Sequence, residues 1–442
     1  MNIRVGNLLK ILFIIAIFFL SFNAVNVYAN SASSNSVAHV ALVLSTGGLG
    51  DKSFNDVAFA GAQKANDTSK VQIDYVEPKT VDEINTYIES FAASTNPAYD
   101  LIIAVGFSAA GGVNASSIAH PNRNFAIIDD NSISRSNVVD ITFKGEEGSF
   151  LVGAMAAMVS LSGTIGFLGG LNIPLINKFF YGYEQGAHYI NPNINVLHQY
   201  SPDPNNPWGD VAGGKVVANT EISQGADVIY ASAGGTGLGV FDAVNESRQN
   251  GKLVYGIGVD SDQDYLAPGL ILTSMVKRVD VAVYDLIGST IDGSYQYLSQ
   301  NTVLGLGLNG VGISPMMYTQ FIKNSLCTNS ETRFNVIQKL NSSIINGDIV
   351  VSSTAPTSFN TVSHACTNDP PNPQGLSGIT TAITSSSGPV LISTSQSTSV
   401  LISNGNNPSS TSTPVPIPTT PSLTILYLIP ALLLFYKRKR RN

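Results

Sequence analysis

The residues best placed to do chemistry are acids and glycines that end short apolar runs. Asp129 and Asp130 follow the run 125–128, and Asp260 follows 253–257. Gly106 follows 101–105, Gly169-Gly170 follow 164–168, and Gly234-Gly235 follow 228–231. After 39–44 comes Gly47-Gly48-Leu49-Gly50-Asp51-Lys52-Ser53-Phe54-Asn55, with Phe59 and Gly61 beyond it. Carboxylates on such a rim accept hydrogen bonds from a polar solute, and glycines let backbone N–H groups come close to it. That is recognition chemistry. Parts for bond cleavage are missing. The five histidines (39, 120, 188, 198, 364) have no close pairing, so no metal site is expected. There is no G-x-S-x-G elbow and no P-loop. Asp51 and Lys52 have no accompanying base and nucleophile. Gly305-x-Gly307-x-x-Gly310 matches a dinucleotide fingerprint by letters, yet Pro315 follows too soon for a helix to open there. No cofactor is expected.

Strands alternating with helices must carry these residues. Runs 39–44, 71–76, 101–105 and 125–128 read as buried parallel strands, and 164–168, 194–199, 228–231, 253–257 and 271–274 continue the rhythm. Val81, Ile84, Tyr87, Ile88 and Phe91 share one helical face, with Thr80 and Glu83 as a capping box. Further helices are expected over 148–161, 179–189, 213–224, 240–250 and 279–291. Two successive sheets of this kind predict an α/β protein of two lobes, each a parallel sheet flanked by helices, with a ligand cleft at the carboxyl ends of the strands. From position alone several residues serve structure as well as binding. Phe59 suits the core, Asp51 and Asn55 suit a helix start, and Asp260 suits a loop cap. Lys277 suits the surface, and Trp208, the single tryptophan, suits packing on Pro207.

Taken together, the motifs resemble the basic membrane protein family of ABC-transporter substrate-binding proteins, which includes purine nucleoside receptors. Asp51-Lys52-Ser53-Phe54-Asn55 with Phe59 and Gly61 is similar to the family's segment after strand one. Phe125 to Asp130, 143–153, the loop Gly234-Gly235-Thr236-Gly237, Gly258-Val259-Asp260 and 272–280 resemble later family motifs in the same order, from about 40 to 350. The resemblance implies a type I periplasmic-binding-protein fold. It implies a non-enzymatic protein that captures a nucleoside-like ligand by lobe closure for an ABC permease and ATPase. Ligand contacts are then expected from Asp51, Ser53, Phe54, Asn55, Phe59, Asp129, Asp130, Trp208, Gly234, Gly235, Gly237, Asp260 and Lys277. Phe59 and Trp208 would stack on a base, Asp260 and Lys277 would hold the ribose, and Asp129 or Asp130 would face the base edge. Gly50 stands where purine-specific members often carry a polar or acidic residue, so the implication stops at a nucleoside-like ligand. Two other readings use the same cleft: a sensory ectodomain of a signalling assembly, or a secreted nucleoside-cleaving enzyme.

Charge and hydropathy place the protein. Only 12% of its 442 residues are charged, and its net charge of −7 argues against a nucleic-acid partner. Arg4 and Lys10 precede the apolar run 11–20, which with small residues near 29 reads as a signal peptide over 1–29. At the other end 423–436 is apolar and five bases follow it in 437–442. Fourteen helical residues span about 21 Å against a hydrocarbon core of about 30 Å, and 419–422 can lengthen the span. This reads as a C-terminal membrane anchor with a cytoplasmic basic tail. Segment 372–421 holds no acid or base and is rich in Ser, Thr, Pro and Asn, the composition of a stalk. The expected order is therefore lobe 1 over 38–142 with 275–310 returning to it, lobe 2 over 143–274 with 311–350, an extension 351–371, then stalk and anchor. A body held outside the cell would oxidise Cys327 and Cys366 to one disulfide. It would also expose four N-x-S/T sequons, at Asn66, Asn114, Asn245 and Asn341, to glycosylation.

Overall fold

A computed structural model describes residues 37–327 and 331–360. The signal peptide, Cys366, the stalk, the anchor and the basic tail named above lie outside the described residues. The chain starts with strand β1 (Ala38–Val43), helix α1 (Phe54–Thr68), β2 (Val71–Val76), α2 (Val81–Ala93), β3 (Leu101–Val105), α3 (Ala110–Ala119), β4 (Asn124–Ile128) and β5 (Val138–Phe143). It continues with α4 (Gly145–Val159), β6 (Thr164–Gly169), α5 (Pro174–Ile190), the two-residue strands β7 (Asn195–Val196) and β8 (Gln199–Tyr200), α6 (Val211–Ser223), β9 (Val228–Ser232), α7 (Leu238–Gln249), β10 (Tyr255–Asp260) and β11 (Ile271–Lys277). Helix α8 (Val279–Ile291), β12 (Asn301–Leu304), β13 (Val311–Ile313) and α9 (Arg333–Asn346) complete it, with a short helical turn at Gln320–Lys323.

Two sheets result. The first runs β12-β5-β4-β3-β1-β2, all parallel. The second runs β13-β11-β10-β9-β6-β7, with β8 also on β6, and only β13 is antiparallel. Read inward from β2 and from β7, the two orders are the same doubly wound pattern. Its switch point lies between β1 and β3 in one lobe and between β6 and β9 in the other. Every residue of β3, β9 and β10 is buried, which is why these strands read as continuous apolar runs.

Three crossings join the lobes: β5 to α4 at Lys144, β11 to α8 at Arg278, and β12 to β13 through 305–310. They are stitched together, Lys144 N donating to Leu304 O at 2.9 Å and Arg278 N to Gly310 O at 2.8 Å. The glycine run that imitates a dinucleotide motif is this third crossing. It makes a single helical turn at Leu306–Leu308 and enters β13.

The differences from the periodicity reading are local. Run 194–199 breaks into two-residue strands separated by Leu197 and His198. Of the capping box, Thr80 accepts from Glu83 N at 3.1 Å, while the Glu83 carboxylate goes to Lys79 N instead of Thr80 N. Cys327 is buried and disulfide-bonded; Cys366, the other cysteine of the sequence, lies outside the described residues. Among the described residues no helix is long and apolar enough to cross a membrane.

Candidate functional site

The carboxyl ends of both sheets face one cleft of about 640 Å³, its mouth included. Lobe 1 contributes Ser45 after β1, Gly106, Phe107 and Ser108 after β3, Asp129 after β4, and Asp51, Phe54 and Asn55 from the start of α1. Lobe 2 contributes Leu175, Ile176 and Phe179 of α5, Ser232 at the end of β9 with Ala233 and Gly234 after it, Val259 and Asp260 of β10, Lys277 of β11, and Trp208. Four aromatic rings thus line the walls, two from each lobe.

The polar end is a charge cluster spanning both lobes. Lys277 Nζ is ion-paired to Asp129 Oδ2, and both side chains are buried. The ammonium also lies 4.5 Å from the Phe54 ring centroid, 5.1 Å from that of Phe143 and 5.8 Å from that of Phe179. Asp129 Oδ1 is buried without a hydrogen-bond partner among the described residues. Asp260 Oδ2 accepts from Ser53 Oγ at 2.6 Å, leaving Oδ1 without a protein partner among the described residues. Burial pushes the Asp260 carboxyl up to about 6, against the opposing pull of Lys277 and Ser53. Lys178 sits close by, donating to Phe143 O at 2.6 Å, and burial lowers its pKa.

Backbone conformation holds these groups out from the strands. Asp129 and Asp260 both adopt left-handed φ, +67° and +64°, a region that aspartate tolerates better than most residues. Such residues concentrate where function over-determines the backbone. The lobes meet directly beside them. Ser53 Oγ reaches Val259 O at 3.2 Å, and Lys52 O accepts from Ser261 Oγ at 2.5 Å and from Gln263 Nε2 at 2.9 Å.

Several residues singled out in the sequence also hold the walls of the cleft in place. Asp51 accepts four hydrogen bonds, from Ser53 N, Asp56 N, Asn55 N and Asn55 Nδ2. Its carboxylate therefore caps α1, and burial raises its pKa against those bonds. Asn55 Oδ1 accepts from Ser45 N and Oγ, tying β1 to α1. Gly235 is buried under the Trp208 carbonyl, and Gly237 against Ala231. Trp208 does line the cleft, and its indole lies on Gly170. A Cβ at Gly170 would stand 2.1 Å from the ring, so only glycine leaves room for it.

Phe59 and Asp130 are not brought to the cleft. Five residues along α1 from Phe54, Phe59 points about 140° away at 100° per residue. It packs on Tyr75 instead, with centroids 4.6 Å apart. Asp130 turns outward, and its Oδ1 accepts from Ser132 N and Oγ. Gly50 has open space where a side chain would project and is not part of the cleft wall. Sequence reasoning missed Phe107 and Phe179. Phe107 was legible as the residue after Gly106 at a strand end. Phe179 lay inside a run read only as a helix.

Comparison with known proteins fits this geometry. Residues 38–355 match the family described as ABC transporter substrate-binding protein PnrA-like. The chain belongs to that family. Among its relatives are an uncharacterised lipoprotein of Pyrococcus abyssi, 38% identical over 62% of this chain and 68% of its own length, and basic membrane protein A of Borreliella afzelii, 33% identical over 73% and 93%. A solute-binding protein of an ABC transporter system from Aeropyrum pernix K1 superposes with a TM-score of 0.64 at 26% identity, covering 72% of this chain and 94% of its own. A second, from Conexibacter woesei, shares the fold at TM-score 0.53 and 19% identity. Two lobes around a cleft are thus the type I periplasmic-binding-protein architecture. As a PnrA-like substrate-binding protein, the chain binds a small molecule and works with the permease and ATPase of an ABC transporter.

Proposed function

We propose that this protein is the extracellular, membrane-tethered receptor of an ABC importer and that its cleft captures a nucleoside-like solute. One observation carries the ligand class: the cleft joins an aromatic slot to a buried cluster of carboxylates and one ammonium. A nucleoside is a flat apolar base joined to a ring of hydroxyls. Phe54, Phe107, Phe179 and Trp208 supply faces for the base, and aromatic stacking on a base contributes about 1–3 kcal/mol per ring in nucleic-acid sites. Asp260 Oδ1 and Asp129 Oδ1 accept from the hydroxyls, and Lys277 donates to them. In this reading Ser53 and Asn55 act by holding the wall, Gly234 by offering a close backbone, and Phe59 and Asp130 take no part.

Capture follows from the hinge. The solute first meets one lobe, and rotation about the three crossings brings Trp208, Asp260 and Lys277 over it. No covalent bond changes. The tether rests on the apolar segment 423–436 with its basic flank, and relatives named as a lipoprotein and as basic membrane proteins fit a surface position.

Calorimetry of the purified protein against nucleosides, free bases, ribose, hexoses and short peptides tests the ligand class. Nucleosides are expected to bind, and bases or ribose alone to bind far more weakly. Heat with hexoses or peptides and none with any nucleoside would overturn it. Release of free base on incubation with nucleosides would favour an enzyme instead.

A further inference from the structure

A second groove lies on the outer face of lobe 1, away from the cleft. Its floor is Phe59 of α1 with Ile73 and Tyr75 of β2, and its rim is Gln63, Asn66 and Asp67. The space is about 560 Å³, including the part open to solvent. Tyr75 is 45% exposed although its ring packs on Phe59. Strand β2 is the edge of its sheet, and among the described residues this aromatic patch is uncovered.

Asn66 on that rim opens the sequon Asn66-Asp67-Thr68. The four sequons differ in what the fold leaves free. The Asn66 side chain is exposed and makes no hydrogen bond among the described residues; Thr68, exposed too, gives its hydroxyl to Lys64 O at 2.7 Å and lies 3.4 Å from the Tyr284 hydroxyl. Its tripeptide is also the last three residues of α1, where a helix frays and can present an extended acceptor. Asn114 is held by Arg135 Nε at 3.0 Å, and its partner Ser116 is buried on Glu89. Ser247 of the Asn245 sequon is buried in α7, and Asn341 is half-buried in the interior of α9.

We propose that Asn66 carries an N-linked glycan whose first sugar lies in this groove over Phe59 and Tyr75. In the modification, Asn66 Nδ2 attacks C1 of a sugar carried on a polyprenyl phosphate or pyrophosphate. The N–C1 bond forms, the C1–O bond breaks, the lipid phosphate leaves with the electron pair, and one amide proton passes to solvent. The apolar face of the sugar ring then covers the aromatic patch, and the flanking Gln63 and Asp67 meet its hydroxyls. The inference rests on the extracellular placement proposed above.

The test uses the full chain from its native host. Intact cells are labelled with membrane-impermeant biotin, and the recovered protein is read by peptide mass spectrometry. The expected result is a surface-labelled protein with a glycan on Asn66 in most molecules and little at Asn114 or Asn245. An unmodified Asn66 on labelled protein overturns the inference alone; an unmodified and unlabelled protein overturns it together with the surface placement. Equal occupancy at Asn66, Asn114 and Asn245 overturns the selectivity. For the docked sugar, Asn66→Gln is expected to lower the melting temperature in the parent and to have a much smaller effect in a Tyr75→Ser background. The same shift in both backgrounds overturns the docking.

Discussion

Replacing Lys277 by methionine is expected to open the two lobes without unfolding either. Lys277 and Asp129 lie on different lobes, with side chains 4% and 6% exposed, so the pair forms only when the lobes are together. Methionine keeps the bulk against Phe54, Phe143 and Phe179 but leaves the Asp129 carboxylate buried without a counter-charge. Breaking a buried pair from one side costs about 3–5 kcal/mol. Lys178 is near enough to Asp129 to trim the upper end. Opening rehydrates the carboxylate, so the cost falls on closure. At about 1.4 kcal/mol per decade, the closed-to-open ratio falls by roughly 2 to 3.5 decades. Spin labels at Asp82→Cys and Gln249→Cys, both exposed and one on each lobe, report the interlobe distance by pulsed dipolar spectroscopy without ligand. The expected result is a shift to long distances in Lys277→Met and substantial recovery in Asp129→Asn/Lys277→Met, which carries no buried charge at the pair. An unchanged distance distribution in Lys277→Met, with the loss seen instead in urea unfolding, would refute the reasoning.

Three further outcomes are expected. Asp260 titrates at about 6 in the ligand-free protein, and hydroxyl donors bind its ionised form, so affinity should be flat above pH 6 and fall towards tenfold per unit below it. Calorimetry between pH 4.5 and 7.5, with Asp260→Asn flattening the profile, checks this. The folding linkage has the other sign: a raised carboxyl pKa means the unligated protein loses stability as pH rises from about 4 to about 6. Gly170→Ala should drive the Trp208 indole off its seat, weakening ligand binding at least tenfold and changing the emission of the single tryptophan, while urea unfolding moves little. Phe59→Ala should leave ligand affinity within twofold and cost about 2 kcal/mol of stability, less than the roughly 3–5 kcal/mol of a fully buried phenylalanine.

The fold was legible wherever burial on both faces makes a strand continuously apolar, as in β3 and β4, and wherever a helix shows a clear stripe, as in α2. It was not legible where strands are short edges. Asn301–Leu304 and Val311–Ile313 are set by pairing with β5 and β11, not by their own composition. Within the cleft, the acids at strand ends could be found because a parallel sheet delivers strand ends to one rim. Phe59 shows the limit. Its place on the face opposite Phe54 follows from helix geometry, but which face looks into the cleft depends on how α1 leaves β1. That is decided by the bonds Asp51 and Asn55 make in the turn.

The shared winding order of the two lobes has a consequence for the cargo. Gly106 and Gly234 both have positive φ after equivalent strands, Asp129 and Asp260 share one conformation, and the hinge residues Lys144 and Arg278 have nearly the same backbone angles. A cleft built wholly on that plan would be a palindrome and could not tell one end of a molecule from the other. Two of the places where the symmetry fails lie at the cleft. Phe143 ends β5 where Lys277 ends β11, and the loop bearing Trp208 between β8 and α6 stands only in lobe 2. Those two departures give the cavity a head and a tail, and so a single reading direction for whatever enters it.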